Sequence, residues 1–187
     1  MRIITGTLKG RRIDIPNNMD VRPTTDRTKE GLFSTIDSWK YIRDSRVLDL
    51  FAGSGSLGFE AISRGAAHAL FVDENHRNIS HIEKLAQEFD VSDLIRTVAM
   101  DVKKFLQGPA VPYDFIFADP PYTYRDLNEI VDAIFENGWL KKSGWLILEH
   151  NTHYDFRDHK YSLMEKEYGK TLISILSPEA NEKDQSQ

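Results

Sequence analysis

The sequence predicts an α/β protein organised around a doubly wound, mostly parallel sheet. Two observations carry this: short apolar runs alternate with segments of helical period along most of the chain, and a Gly-rich turn stands where the first buried run meets its helix. With 187 residues and 40% hydrophobic content, the chain can bury one sizeable core with a modest appendage but has no room for two full domains. The expected organisation is a β-hairpin extension over residues 1–24, a main domain over 25–178 and a flexible tail over 179–187.

Residues 2–7 and 11–15 are β-prone runs separated by Leu8, Lys9 and Gly10, which reads as a hairpin. From Thr25 onward Leu32, Phe33, Ile36 and Trp39 share one helical face, with Thr24 or Thr25 available as the cap. Residues 46–51 suit a buried strand, and the Gly-rich turn after them leads into a helix over 57–64. The pattern then repeats: strand 69–72, helix 75–89, strand 95–99, short helix 102–106, strand 113–118, helix 125–135, strand 145–148. Residues 161–166 and 171–176, around Tyr168 and Gly169, read as a hairpin that finishes the sheet with an antiparallel edge. The three tryptophans, Trp39, Trp139 and Trp145, sit in apolar contexts and are expected in the core.

Several function classes fall away on composition. Without a cysteine there is no disulfide framework, thiol nucleophile or cysteine zinc site. The six histidines are scattered, with no spacing that recommends a metal site, so no metal is expected. The first residues lack the apolar core of a secretory signal, and no run approaches the roughly 18 apolar residues of a membrane span. A soluble, cytoplasmic protein is expected. The formal charge of -5 argues against a polyanionic partner until its distribution is considered. Residues 1–46 hold ten Lys and Arg against six Asp and Glu, and the remainder fourteen against twenty-three, which confines the basic excess to the N-terminal quarter. Arg2, Lys9, Arg11 and Arg12 all precede the first acid, Asp14.

The segment Asp49-Leu-Phe-Ala-Gly53-Ser-Gly55-Ser-Leu-Gly58 lies at the carboxyl edge of the predicted sheet, where doubly wound folds bind ligands. Gly53 and Gly55 let the main chain approach a ligand closely. Asp73 ends the second strand, where a carboxylate can accept from both hydroxyls of a ribose, and Asp101 follows the third strand, near the expected position of an adenine ring. The same segment satisfies Gly-x-Gly-x-x-Gly with an acid about 20 residues later, so a nucleotide-binding oxidoreductase is a rival at this point. In a methyltransferase the turn would instead hold the methionine part of the cofactor, with Asp49 facing its ammonium group.

Asp119-Pro120-Pro121-Tyr122 follows the fourth strand directly and projects from the same edge. Consecutive prolines hold the backbone extended and remove two amide donors, which leaves carbonyl acceptors. This suits methylation of an exocyclic base amine, a poor nucleophile whose lone pair is delocalised into the ring. The Asp119 carboxylate and Pro120 carbonyl would accept from the amine and turn its lone pair toward a methyl donor, while Tyr122 stacks on the base.

These segments are similar to the class I S-adenosylmethionine-dependent methyltransferases, and more closely to the RsmD-type family that methylates guanine N2 in small-subunit (16S) ribosomal RNA. The closer resemblance is carried by residues 2–12, by Arg22-Pro-Thr-Thr-Asp-Arg27 with Glu30-Gly-Leu-Phe33, and by 49–60 and 119–122. It implies a Rossmann-like, seven-stranded sheet with one antiparallel strand, S-adenosyl-L-methionine as cofactor, and an N-terminal hairpin that contacts RNA through Arg2, Lys9, Arg11 and Arg12. Thr24 would lie by the cofactor. Arg22 and Arg27 would lie at the entrance, pairing with the cofactor carboxylate, with an RNA phosphate, or with Asp20 and Asp26 at the helix start. The implied partner is small-subunit ribosomal RNA, naked or in an assembling particle, and the protein is expected to be a monomer. A DNA adenine-N6 methyltransferase shares the cofactor turn and the clamp, but no insertion here is large enough for a DNA target-recognition domain. A noncatalytic RNA-binding factor would require a degraded cofactor turn.

Overall fold

The structure, a computed structural model, describes residues 1–15, 26–169 and 171–180. Helix α1 (Asp26–Trp39) precedes strand β1 (Arg46–Leu50), followed by α2 (Ser56–Ser63), β2 (His68–Asp73), α3 (His76–Glu88), β3 (Ile95–Ala99) and α4 (Val102–Leu106). The chain continues through β4 (Tyr113–Ala118), α5 (Leu127–Glu136), β5 (Leu140–His150), β6 (Ser162–Tyr168) and β7 (Thr171–Leu176). The seven strands form one sheet in the order β3-β2-β1-β4-β5-β7-β6. β1 to β5 pair in parallel, and β7 runs antiparallel to both of its neighbours, β5 and β6.

Strand alternation sorts the core into two layers. Val47, Phe71, Phe115, Phe117 and Ile147 point to one face, where Phe33, Ile36, Phe59, Ile62 and Ile82 of α1, α2 and α3 cover them. Leu48, Leu50, Val72, Ile116 and Leu146 point to the other, beneath Val102, Leu106, Ile130 and Ile134 of α4 and α5. The sheet is therefore buried on both faces, as a crossover architecture requires.

The hairpin of β6 and β7 finishes the sheet with the expected antiparallel edge, β7 being the one antiparallel strand and β6, with its run of Glu165, Lys166 and Glu167, the charged outer one. Three other sequence expectations need correction. β5 begins five residues earlier than expected, because exposed Lys141, Lys142 and Ser143 hide its start and the pairing with β4 jumps from Tyr113/Leu140 to Phe115/Trp145. Trp39 is 70% exposed at the last residue of α1, whereas Trp139 and Trp145 are buried. The Lys40 ammonium takes the place over the sheet end instead, lying 5.6 Å from the Trp145 ring centroid. Finally, the N-terminal segment is not a pair of strands. Arg2 and Arg12 form a single antiparallel bridge, with Ile3 N donating to Arg11 O (2.9 Å) and Ile13 N to Met1 O (3.0 Å). Residues 5–10 are taken up by turns laid against α2. Thr25 as a helix cap and the tail beyond residue 180 lie outside the described residues. No helix among them is long and apolar enough to cross a membrane.

Candidate active site

The strand order reverses at β1, which has β2 on one side and β4 on the other, and this opens the crevice in which doubly wound sheets hold ligands. Register brings the chemistry there. Leu50 lies opposite both Val72 and Ala118, so the Gly-rich turn, Asp73 and Asp119 leave the sheet side by side; Asp73 in turn lies opposite Ala99, which brings Asp101 to the same edge. A cavity of about 460 Å³ occupies this edge, lined by Asp49, Gly53, Asp73, Asp101 and all four residues 119–122.

The turn is built tightly. Gly53 and Gly55 take left-handed φ of 53° and 77°, and so does Phe51 at 57°, a conformation that costs a β-carbon-bearing residue roughly 1–2 kcal/mol. The Phe51 ring meets Tyr124 edge-on at 5.0 Å, and both rings line the cavity. Asp49 is 3% exposed and its Oδ2 accepts from Gly58 N at 2.9 Å. Burial pushes its carboxyl well above the usual carboxylate range, and the charges of Asp119 and Asp73 push in the same direction. Five acids, Asp49, Asp73, Glu74, Asp101 and Asp119, thus line one cavity, and the buried Asp49 lies under a burial penalty that a ligand cation would relieve.

Asp73 is engaged by the protein on both carboxylate oxygens. Its Oδ2 accepts from Gly53 N (2.8 Å), and its Oδ1 from Asn75 N (2.8 Å) and Asn78 Nδ2 (3.1 Å). Of its roughly four acceptor sites, three are filled by the protein, so it braces the turn as well as facing the cavity. Asn78 Oδ1 is buried at the same wall without a hydrogen-bond partner. Asp101 caps α4 through Lys104 N at 2.8 Å and is exposed. An acidic wall with a bracing carboxylate and an unsatisfied buried acceptor fits a ligand that carries a cation and hydroxyl or amino donors.

In the 119–122 segment, Pro120 is buried, while Pro121 and Tyr122 are exposed at the rim. The Pro121 carbonyl is used inside the loop, accepting from Tyr124 N at 2.8 Å, so the two proline carbonyls are not equivalent as acceptors. Tyr154 Oη donates to Tyr124 O at 2.9 Å and ties the loop to the segment after β5. The Tyr122 hydroxyl lies 3.4 Å from Thr171 Oγ1, at the start of β7.

The N-terminal candidates Arg2, Lys9, Arg11 and Arg12 are exposed, as is Arg27 on α1. Arg2 pairs with Asp26 at 3.3 Å, an acid the sequence offers to Arg22 or Arg27 instead. Thr24 and Arg22 lie outside the described residues. The segment reaches the Gly-rich turn itself: Ser54 Oγ, at the cavity, is 3.9 Å from Met1 Sδ.

Sequence reasoning missed Lys29 and Glu60. Both side chains are fully buried between α1 and α2. Burial draws the Lys29 ammonium below the ordinary lysine value, opposed by the neighbouring charge of Glu60. A signal was present: Lys29 stands four residues before Phe33 on the apolar face of α1, and Glu60 is the one charged residue of α2. Among the described residues no group of three or more His, Asp or Glu is arranged to hold a metal ion.

Comparison with known proteins adds a consistent picture. The family model described as Conserved hypothetical protein 95 matches residues 1–177. The Ribosomal RNA small subunit methyltransferase D of Buchnera aphidicola subsp. Acyrthosiphon pisum is 38% identical over 149 residues, covering 79% of this chain and 76% of that protein. The protein of the same name from Escherichia coli (strain K12) is 34% identical over 149 residues, covering 80% and 74%. Among solved structures, yhhF from Escherichia coli superposes with a TM-score of 0.83 at 30% identity, over 94% of this chain and 96% of that one.

Proposed function

Because this chain belongs to the RsmD family, whose curated members are named small-subunit ribosomal RNA methyltransferases, we propose that it transfers a methyl group from S-adenosyl-L-methionine to the exocyclic N2 amine of a guanine in small-subunit ribosomal RNA. One observation carries the reading: Asp119-Pro120-Pro121-Tyr122 and the acidic Gly-rich turn open into a single cavity at the carboxyl edge. The cofactor supplies an electrophilic methyl group on a sulfonium. Asp49 would hold its ammonium, the backbone of residues 53–55 would accommodate its amino-acid part, and the remaining acceptor capacity of Asp73 would take a ribose hydroxyl. Asp101 and Val102, which line the same cavity, would border the adenine.

The substrate amine has two protons and a lone pair conjugated with its ring. In this reading the Asp119 carboxylate and the Pro120 carbonyl each accept one N–H. That fixes the nitrogen, draws its lone pair out of conjugation and aims it along the cavity. As the new N–C bond replaces the S–CH3 bond of the sulfonium, leaving a neutral thioether, one amine proton would pass to Asp119 or to solvent at the open rim. Tyr122, 44% exposed, offers a face on which an unpaired base can stack, worth about 1–3 kcal/mol per base. The exposed Arg2, Lys9, Arg11, Arg12 and Arg27 would take backbone phosphates, which accounts for a local basic excess on an acidic protein.

The test is transfer of labelled methyl groups to small-subunit rRNA lacking endogenous modification, both naked and in assembling particles, with DNA and Asp119→Ala as controls. The expected product is N2-methylguanosine. Its rate should fall about 10²–10³-fold in the variant, the usual cost of removing one preorganised charge-stabilising group, while cofactor affinity persists. Label in DNA adenine alone, or none in any rRNA substrate despite cofactor binding, would overturn the reading.

A further inference from the structure

We propose that Glu60 and Lys29 are positioning residues that fasten the basic N-terminal segment onto α2, the helix that begins in the cofactor turn, so that RNA is presented to the methyl donor in one fixed register; this rests on the function proposed above. Glu60 Oε2 and Oε1 accept from the main-chain amides of Ile4 (2.8 Å) and Thr5 (3.1 Å). Lys29 Nζ donates to Arg2 O (2.7 Å) and to Ser56 Oγ (3.0 Å), and lies 3.6 Å from Glu60 Oε2. Ser56 lines the cavity. One ammonium therefore joins the backbone of the RNA-facing segment to the wall of the cofactor site. Arg64 closes the network, giving Nε to Glu60 (2.9 Å) and Nη1 to Asp37 of α1 (2.5 Å). The charges balance within it, as buried ions must.

One helical turn further on, a second clasp holds the same segment. Ser63 O accepts from Thr7 N (2.8 Å), and Ser63 Oγ accepts from Leu8 N (2.9 Å) and donates to Thr5 O (2.5 Å). Gly6 makes this approach possible, since a Cβ there would stand 1.7 Å from Ser63 O. Two clasps on one helix add polar anchors to a segment that also makes its own turn bonds, Gly10 N to Ile3 O and Arg11 N to Leu8 O, and buries Ile3, Leu8 and Ile13 in the core. The four cations Arg2, Lys9, Arg11 and Arg12 are thereby ordered before RNA arrives, and their distance to the cavity is set by α2.

The two clasps can be loosened separately, with Glu60→Gln, which unbalances the buried network, and with Gly6→Ala, which lifts the segment off Ser63 without touching a charge. Each variant, as full-length protein, is assayed for S-adenosylmethionine affinity by calorimetry, for KM and kcat on the rRNA substrate, and for the dependence of RNA affinity on salt. The expected result is a KM for RNA at least tenfold higher with cofactor affinity within threefold of wild type. The slope of log affinity against log salt should become shallower by about one to three, at about 0.7 for each lost phosphate contact on single-stranded RNA. Should Glu60→Gln fail to fold, Gly6→Ala decides. An unchanged KM for RNA in a variant that binds cofactor normally overturns the inference, as does a parallel loss of cofactor and RNA affinity in Gly6→Ala. Absence of transfer by the wild-type protein overturns the proposed function itself, and is read before any variant is compared.

Discussion

Replacing Asp49 by Asn should make the protein more stable and its cofactor site weaker. The carboxylate is 3% exposed, accepts from Gly58 N, and is repelled by Asp119 and Asp73 across the cavity. An asparagine oxygen can still take the Gly58 hydrogen bond, so the substitution removes the ionisable group while keeping that contact. Relief of the burial penalty, whether it shows as a buried charge or as a proton the native state must retain, should contribute about 1–2 kcal/mol, taken from the low end of penalties for unsatisfied buried groups. For a chain of this size that is a rise in Tm of about 2–8 °C. Loss of a charge-assisted hydrogen bond to the ligand ammonium costs about 1.5–3 kcal/mol, or roughly 10- to 150-fold in Kd. Scanning calorimetry of the ligand-free protein and titration with S-adenosylmethionine and S-adenosylhomocysteine measure both effects. The two ligands share the amino-acid part, so both should weaken alike. A lower Tm, or unchanged affinity for both ligands, would refute the reasoning. The pH dependence has a definite sign: with the folded-state value raised above the unfolded one, the native state retains a proton that the unfolded chain has released. The stability this provides is present below the ordinary carboxylate range and is lost as pH rises through the folded value. Cofactor affinity should rise across that same window in the wild type and be flatter in Asp49→Asn.

Tyr122→Ala should raise the KM for RNA about 5- to 150-fold, the equivalent of about 1–3 kcal/mol of stacking, whereas Tyr122→Phe should stay near wild type because it keeps the ring that offers the stacking face; steady-state kinetics on the rRNA substrate separate the two. Gly58→Ala places a Cβ 2.2 Å from Phe71 Cε1 and 3.0 Å from Asp49 Oδ2. Overpacking of about 1–3 kcal/mol should exceed the roughly 1 kcal/mol that Ala gains over Gly in a helix, giving a lower Tm and weaker cofactor binding; a higher Tm by thermal denaturation would show that Phe71 yields freely.

Local pattern accounts for much of this molecule. The strands at 95–99 and 113–118 and the helix at 102–106 have the bounds their periodicity predicts, because burial on one or both faces writes a period directly into the sequence. Alternation of strands and helices was also enough to send the Gly-rich turn, Asp73, Asp101 and Asp119 to one sheet edge, since every parallel strand in such a fold ends on the same side. What the chain does not encode locally is which surface meets which. Trp39 has the spacing of a core residue, yet α1 ends where nothing covers it, and β7 enters the sheet between β5 and β6 by long-range pairing that no period announces. The same holds for the charges. Lys29 and Glu60 show in the sequence only as charges on otherwise apolar helix faces, and Asp73 only as a carboxylate at a strand end. Their roles depend on partners up to 56 residues away, and hydrogen bonds of that span exist only once the tertiary structure has brought α1, α2 and the N-terminal segment together.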